Sequence, residues 1–242
     1  MRVAVISDVH SNLHALQAVL AAIDAERADA IWCLGDVVGY GPRPNECCAL
    51  VQERASLGLA GNHDLGVVGT IDLALFAGDA GAAVRWTRAE LSDDARGFLS
   101  HLQPSGRADG VELYHASPRD PVWEYVLGPE QARASFAVTS APLVLIGHSH
   151  FPLALSLEGR RVVGGTAAAG HDADLADGRW LLNPGSVGQP RDGDQRAAWL
   201  LLDSEARRAS FRRVEYPVAL TQAEIRAAGL PEGLAARLAH GA

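Results

Sequence analysis

Residues 2–20, RVAVISDVHSNLHALQAVL, decide how the fold is read. RVAVI (2–6) is a short apolar run, the pattern of a strand buried on both faces. Ser11 or Asn12 then caps a helix in which Leu13, Leu16, Val19, Leu20 and Ile23 fall at helical spacing, an apolar stripe meant for a sheet. Strand, turn and helix in this order open an α/β sheet. Between the two elements stand Asp8 and His10, two apart, which on an extended segment project to the same side and reach one ion.

The same pattern recurs along the chain. AIWCL (30–34) leads to Gly35 and Asp36, and LGLA (57–60) leads to Gly61, Asn62 and His63. VELY (111–114) leads to His115, and LVLI (143–146) leads to GHSH, with His148 and His150. Ligands of open α/β sheets bind outside the carboxyl ends of the strands, so donors this far apart in sequence are expected to converge on one edge. Glycine ahead of Asp36, Asn62 and His148 suits tight turns there.

Oxygen and imidazole donors without a thiolate suit a pair of hard-to-borderline divalent cations. Asp36 offers two carboxylate oxygens and can bridge cations at roughly 3.5–4 Å, whereas Asn62 adds only a neutral carbonyl oxygen. Two such cations bring about +4, from which Asp8, Asp36 and a bridging hydroxide remove about three. A local positive charge is left over for a phosphoester anion, on a chain whose formal net charge is −8.

Composition sets the outer bounds. With 242 residues, 48% of them hydrophobic, the chain reads as one domain, 1–242. The acidic balance argues against an extended nucleic-acid surface. Asp8 arrives too early for a signal peptide and no run reaches the roughly 18 apolar residues of a membrane span, so a cytoplasmic protein is expected. Cys33, Cys47 and Cys48 lack zinc or redox spacing and read as buried small side chains. All 21 basic residues are arginine, which excludes lysine chemistry and makes any side-chain grip on phosphate a guanidinium.

Residues 70–103 carry helical signatures without a ligand cluster and read as a helical insert over one face. GGTAAAGHDADLADG (164–178) reads as a mobile loop. WLLN (180–183), AAWLLL (197–202) and residues 208–214 read as strands, with a turn near Asp203 and Ser204, and two short helices finish the chain. His14, His101 and His240 read as solvated helix residues and His171 as a surface residue. Trp32, Trp86, Trp180 and Trp199 read as packing residues. Trp123 and Tyr125 either pack or stack on an aromatic leaving group.

Taken in order, DVH (8–10), GDVVGYGP (35–42), GNHD (61–64), His115 in YHASP (114–118) and GHSH (147–150) resemble the signature blocks of the calcineurin-like metallophosphoesterases. NPGSVGQPRDGD (183–194) resembles a trailing loop of the bacterial, phosphodiesterase-like branch. The resemblance implies a four-layer α/β/β/α sandwich of two mixed β-sheets and two divalent metal ions, Mn²⁺ first, with Fe, Zn, Co or Ni compatible. It implies Asp8, His10, Asp36 and His150 on one metal, and Asp36, Asn62, His115 and His148 on the other. His63 would then serve as a catalytic proton donor beside the leaving group. The implied reaction is hydrolysis of a phosphodiester or small phosphomonoester by a metal-activated hydroxide. Alternatives are a dinucleoside polyphosphatase, a protein phosphatase, or a non-catalytic scaffold on the same fold, and the complete ligand set favours the enzyme.

One departure stands out. Protein serine/threonine phosphatases run GD, any residue, VDRG, where this chain has Gly39 and Tyr40 in place of the Asp and Arg. Asp64 or a backbone group is a candidate to orient His63 instead. For the missing guanidinium the candidates are Arg191, Arg43 and Arg119, with Arg191 first because its loop is glycine-rich and follows a strand; Asn62 is a further substrate-binding candidate.

Overall fold

Two six-stranded mixed sheets face each other across a shared apolar layer, and helices cover their outer faces. The computed structural model describes residues 1–242. The first sheet contains β1 (Arg2–Ile6), β2 (Ala30–Cys33) and β3 (Leu57–Gly58). It is completed by β9 (Asp172–Asp174), β11 (Ala197–Asp203) and β12 (Arg208–Val214), in the order β3-β2-β1-β11-β12-β9. The second contains β4 (Ser105–Ala108), β5 (Val111–Tyr114), β6 (Leu143–Leu145), β7 (Pro152–Glu158), β8 (Arg161–Thr166) and β10 (Arg179–Pro184), in the order β4-β5-β6-β10-β7-β8.

Strand alternation assigns the layers. Val3, Val5, Trp32, Leu34, Leu200 and Leu202 point inward against Leu113, Leu145 and Leu182 of the other sheet. Their neighbours Ala4, Ile6, Ile31, Cys33, Trp199 and Leu201 point outward onto α1 (Leu13–Glu26) and α2 (Pro44–Arg54). On the far side, Val144, Leu153, Leu155 and Leu181 pack on α6 (Pro129–Val138). The three cysteines are free and buried in the core between the first sheet and its helices, Cys33 on β2 and Cys47 and Cys48 on α2.

Parallel pairing positions the site. In one sheet β1, β2 and β3 run parallel, and in the other β5, β6 and β10 do. The carboxyl ends of all six therefore open on the same edge of the sandwich. Their loops are stitched by backbone hydrogen bonds: Asp8 N–H to Gly35 O at 3.0 Å, His10 N–H to Asp36 O at 2.9 Å, and Gly147 N–H to His115 O at 2.7 Å. Asn12 caps α1, its Oδ1 accepting from Ala15 N–H while its amide donates to Gly188 O.

Several expectations change in detail. LGLA is a strand only over Leu57–Gly58, since the chain must already turn towards α3 (Asn62–Val68). Residues 70–103 contain α4 (Gly78–Glu90) and α5 (Asp93–Ser100), whereas IDLALF forms no more than a 3-10 turn at Leu73–Leu75. The expected loop at 164–178 is corrected: β8 extends to Thr166 and β9 lies on the sheet edge, because β12 supplies the partner that no local signal announces. WLLN belongs to the second sheet, apart from the β11–β12 hairpin. α7 (Val218–Ala227) and α8 (Glu232–Leu238) close the chain against α4. No helix is long and apolar enough to cross a membrane.

Candidate metal centre

Left-handed backbone builds this edge. Asp8, His10, Ser11, Asp36, Tyr40, His148 and His150 all have φ between 50° and 63°, a region that costs a non-glycine residue roughly 1–2 kcal/mol. The expected extended geometry for Asp8 and His10 therefore gives way to consecutive tight turns. Those turns fold each loop back over its own strand end, and the loop-to-loop hydrogen bonds described above hold them there.

The side chains converge and are buried. Ligand atoms of Asp8, His10 and His150 lie within 4.8 Å of one another, as do those of Asp36, His115 and His148, and those of His10, Asp36 and His63. Asp36 joins the groups through one oxygen: Oδ2 lies 3.7 Å from His10 Nε2 and 3.5 Å from His115 Nε2. Its other oxygen, Oδ1, accepts the backbone N–H of His63 at 2.9 Å and so caps the start of α3. Asn62 Oδ1 lies 3.3 Å from His115 Nε2. All seven expected donors are thus brought together.

Backbone carbonyls fix which imidazole nitrogen faces the centre. His10 Nδ1–H donates to Val38 O at 3.1 Å, His115 Nδ1–H to Leu34 O at 2.9 Å, and His150 Nδ1–H to Gln189 O at 2.5 Å. His148 is reversed, its Nε2–H meeting Trp123 O at 3.3 Å. Each ring keeps one lone pair free, the arrangement that metal-binding histidines require. His10 Nε2 and His150 Nε2 face each other at 3.0 Å, and Asp8 Oδ1 beside them is buried without a hydrogen-bond partner. Facing lone pairs and an orphaned carboxylate oxygen call for a cation between them, so the residues fit a metal.

Burial dominates the titration of these groups. It pushes the Asp8 carboxyl up to about 7 and holds Asp36 well above the usual carboxylate range, with the nearby Asp64 charge adding to the latter. It pulls His148 down to about 2, His63 down to about 3, and His10 and His150 well below the ordinary imidazole value. Burial thus favours the neutral form of both the carboxyls and the imidazoles.

The family model for the calcineurin-like phosphoesterase superfamily domain matches residues 1–207. The chain belongs to this superfamily. Uncharacterized protein MJ0912 of Methanocaldococcus jannaschii is 37% identical over 244 residues, covering 98% of this chain and 96% of that protein. The crystal structure of a metallophosphoesterase from Sphaerobacter thermophilus is 42% identical with a TM-score of 0.91, covering 100% of this chain and 99% of that one. Hypothetical protein PH1004 from Pyrococcus horikoshii OT3 shares the fold, with a TM-score of 0.79 at 22% identity, over 100% of this chain and 98% of that one. Membership implies divalent metal ions, and the His/Asp clusters agree with it.

Beside the clusters lies a cavity of about 120 Å³ lined by Asp36, Asn62, His63, Phe76, Trp123, Tyr125 and Arg191 among others. Asp64 does not orient His63 in this superfamily member. Its carboxylate accepts Val37, Val38 and Gly61 N–H at 3.2, 3.0 and 2.9 Å, tying the Asp36 loop to the start of α3, while His63 Nδ1 is buried without a partner. Of the candidate guanidiniums, Arg43 is held by Glu224 and Glu46, and Arg119 by Glu124, which leaves Arg191 at the cavity. His14, expected to be solvated, sits partly buried 3.5 Å from Glu224.

Sequence reasoning missed Tyr40, Phe76 and Gln189 as parts of the site. Tyr40 packs 4.5 Å from the His10 ring and 4.4 Å from the His63 ring, and Phe76 lies edge-on to His63 at 5.3 Å. Tyr40 stands one residue after Gly39, whose glycine was a signal: a Cβ there would run into the His63 ring, 2.8 Å from Cγ. Trp123 packs against Phe76, whereas Tyr125 stacks on His148 at 4.1 Å and is 46% exposed.

Proposed function

We propose that this protein is a binuclear-metal phosphoesterase that hydrolyses a phosphodiester or a small phosphomonoester. The carrying observation is the pair of facing histidine lone pairs on one side of Asp36 Oδ2 and the His115 lone pair on the other. Asp8, His10, Asp36 and His150 would hold one ion, and Asp36, Asn62, His115 and His148 the second, with Mn²⁺ as the first choice. When bound, two such cations supply Lewis-acid charge to a phosphoryl oxygen and acidify water from a pKa of 15.7 towards roughly 7.

The chain's own residues do the rest. Asp36 and the backbone carbonyls behind each imidazole pre-set the donor geometry, so little reorganisation is needed on loading. His63, neutral in its buried setting, gains basicity when an anionic phosphoester lies beside it, and the proton it then carries goes to the departing alkoxide. Arg191 supplies the guanidinium that steadies the phosphoryl oxygens. Exposed Tyr125, stacked on His148, offers a ring face to an aromatic leaving group. The narrow cavity and acidic net charge favour small substrates over polyanions. We take residues 1–242 to act as one domain, since α7 and α8 pack against α4.

Elemental analysis of purified protein, paired with turnover of bis(p-nitrophenyl) phosphate and p-nitrophenyl phosphate, tests this reading. Close to two divalent ions per chain and turnover of at least one ester are expected. No bound metal, or no turnover with Mn²⁺, Fe²⁺, Zn²⁺, Co²⁺ or Ni²⁺, would sink it.

A further inference from the structure

Resting on the phosphoesterase reading, we propose that Arg237, joined to Arg191 through Gln189, extends the phosphate site into a second anion subsite, with Arg191 shared between the reacting phosphoryl group and a non-reacting phosphate of a bis-phosphorylated substrate that Arg237 holds. Both guanidiniums donate to the same amide oxygen: Arg191 Nη2 to Gln189 Oε1 at 3.0 Å and Arg237 Nη1 to it at 3.5 Å. Arg191 Nη2 also meets the Tyr40 hydroxyl at 3.5 Å, and its guanidinium lies 5.9 Å from the Tyr40 ring centroid. The Nε of each arginine is buried and has no hydrogen-bond partner.

Two features set this pair apart. Other arginines in the same region meet carboxylates: Arg196 meets Asp194, Arg213 meets Asp192 and Arg43 meets Glu224. Arg96 and Arg179, partly buried like this pair, distribute their N–H groups over two and three backbone carbonyls respectively. Arg191 and Arg237 instead draw two positive charges onto one neutral oxygen, with donors left over. Like charges brought together at a partly buried place repel, and an anion accepting from both removes that cost.

Position ties the pair to the reaction. Arg191 lines the cavity with Asp36, Asn62 and His63. Gln189 accepts from His150 Nδ1–H through its backbone carbonyl, so one residue touches both the metal centre and the arginine pair. Arg237 lies on α8, outside the residues that match the family model. Gly193 N–H bonds Gly241 O at 2.9 Å, fastening the Arg191 loop to the end of the chain behind α8. The subsite therefore runs from the metal centre towards the C-terminal helices, and the chain's own C-terminal segment completes it.

Calorimetric binding of propylphosphonate and propane-1,3-diylbisphosphonate to the full chain, with Mn²⁺ at a fixed free concentration, tests the proposal. The readout is the ratio of the two affinities, which an unfolded fraction of protein does not change. In the wild type the bisphosphonate should bind about tenfold more tightly, the gain of one charge-assisted contact pair. Arg237→Ala should bring the ratio close to one and Arg237→Lys should keep part of it, while Arg133→Ala, which removes an exposed charge on α6, should leave it unchanged. Equal binding of both phosphonates by the wild type, an unchanged ratio in Arg237→Ala, or an equal loss in Arg133→Ala would overturn it. Binding does not depend on turnover, so an inactive protein that keeps the bisphosphonate preference defeats the phosphoesterase reading alone.

Discussion

His10 Nε2 and His150 Nε2 stand 3.0 Å apart with both Nδ1–H groups committed to backbone carbonyls, so two lone pairs point at each other in a buried place. Chain distance makes the contact informative, because 140 residues separate the two rings. Such an arrangement is repulsive on its own and favourable around a cation. Metal should therefore contribute to stability. At a free Mn²⁺ concentration about 100 times its dissociation constant, binding adds about 2.7 kcal/mol, so melting should rise by about 5–10 °C over chelated protein. A melting curve that EDTA does not shift would contradict this.

Asp36 carries a double duty. Its Oδ2 faces both ligand groups while its Oδ1 caps the helix that begins with Asn62 and His63. Asp36→Ala should lower phosphoester turnover by about 10³-fold or more and reduce bound metal below one ion per chain, as measured by elemental analysis. Asp36→Ala with native metal content would show that the bridge assignment is wrong.

Gly39 shapes the catalytic candidate from a neighbouring loop. Its φ is 95°, and an added methyl would collide with the His63 ring. Gly39→Ala should cost turnover about 10–100-fold by displacing His63 while leaving the metal count unchanged. Loss of metal in parallel with activity would mean instead that the whole edge had rearranged.

Asp64 works through the backbone. Removing its carboxylate in Asp64→Ala leaves the N–H groups of Val37, Val38 and Gly61 buried and unpaired, which should lower unfolding free energy by about 2–4 kcal/mol in denaturant titrations. Wild-type stability in this variant would mean that water replaces the clamp.

Asp8 gives a pH-dependent signature in metal-free protein. Its folded pKa is raised from 3.8 to about 7 by burial, so between those values the folded state holds a proton that the unfolded state has released. Its contribution favours folding below pH 3.8 and is lost as pH rises through about 7. Asp8→Asn should therefore gain on the wild type steadily over that window, by about 2–4 kcal/mol at its upper end, and chelated samples unfolded by urea at several pH values would measure it. A difference that does not vary with pH would mean that Asp8 is solvated.

Much of the site was legible before any coordinates. The convergence of the seven candidate donors could be anticipated because each follows an apolar strand signal. Their partners could not. Val38 O, Leu34 O, Trp123 O and Gln189 O choose the facing nitrogen of each histidine, and no residue type announces a backbone carbonyl. Of the two candidates for orienting His63, Asp64 or a backbone group, Asp64 is ruled out for a related reason, since sequence adjacency said nothing of the three N–H groups competing for that carboxylate.

The amino-acid sequence by itself determined the alternating strand and helix pattern, the identity and order of the candidate donors, and membership of a superfamily, because these are local periodicities and residue types. Only the tertiary structure decided the left-handed turns that aim Asp8, His10, Asp36, His148 and His150 inward, the pairing of β9 with β12, and which arginines remain free of carboxylates. Those outcomes depend on groups brought together from distant parts of the chain, where packing and hydrogen-bond competition outweigh local preference.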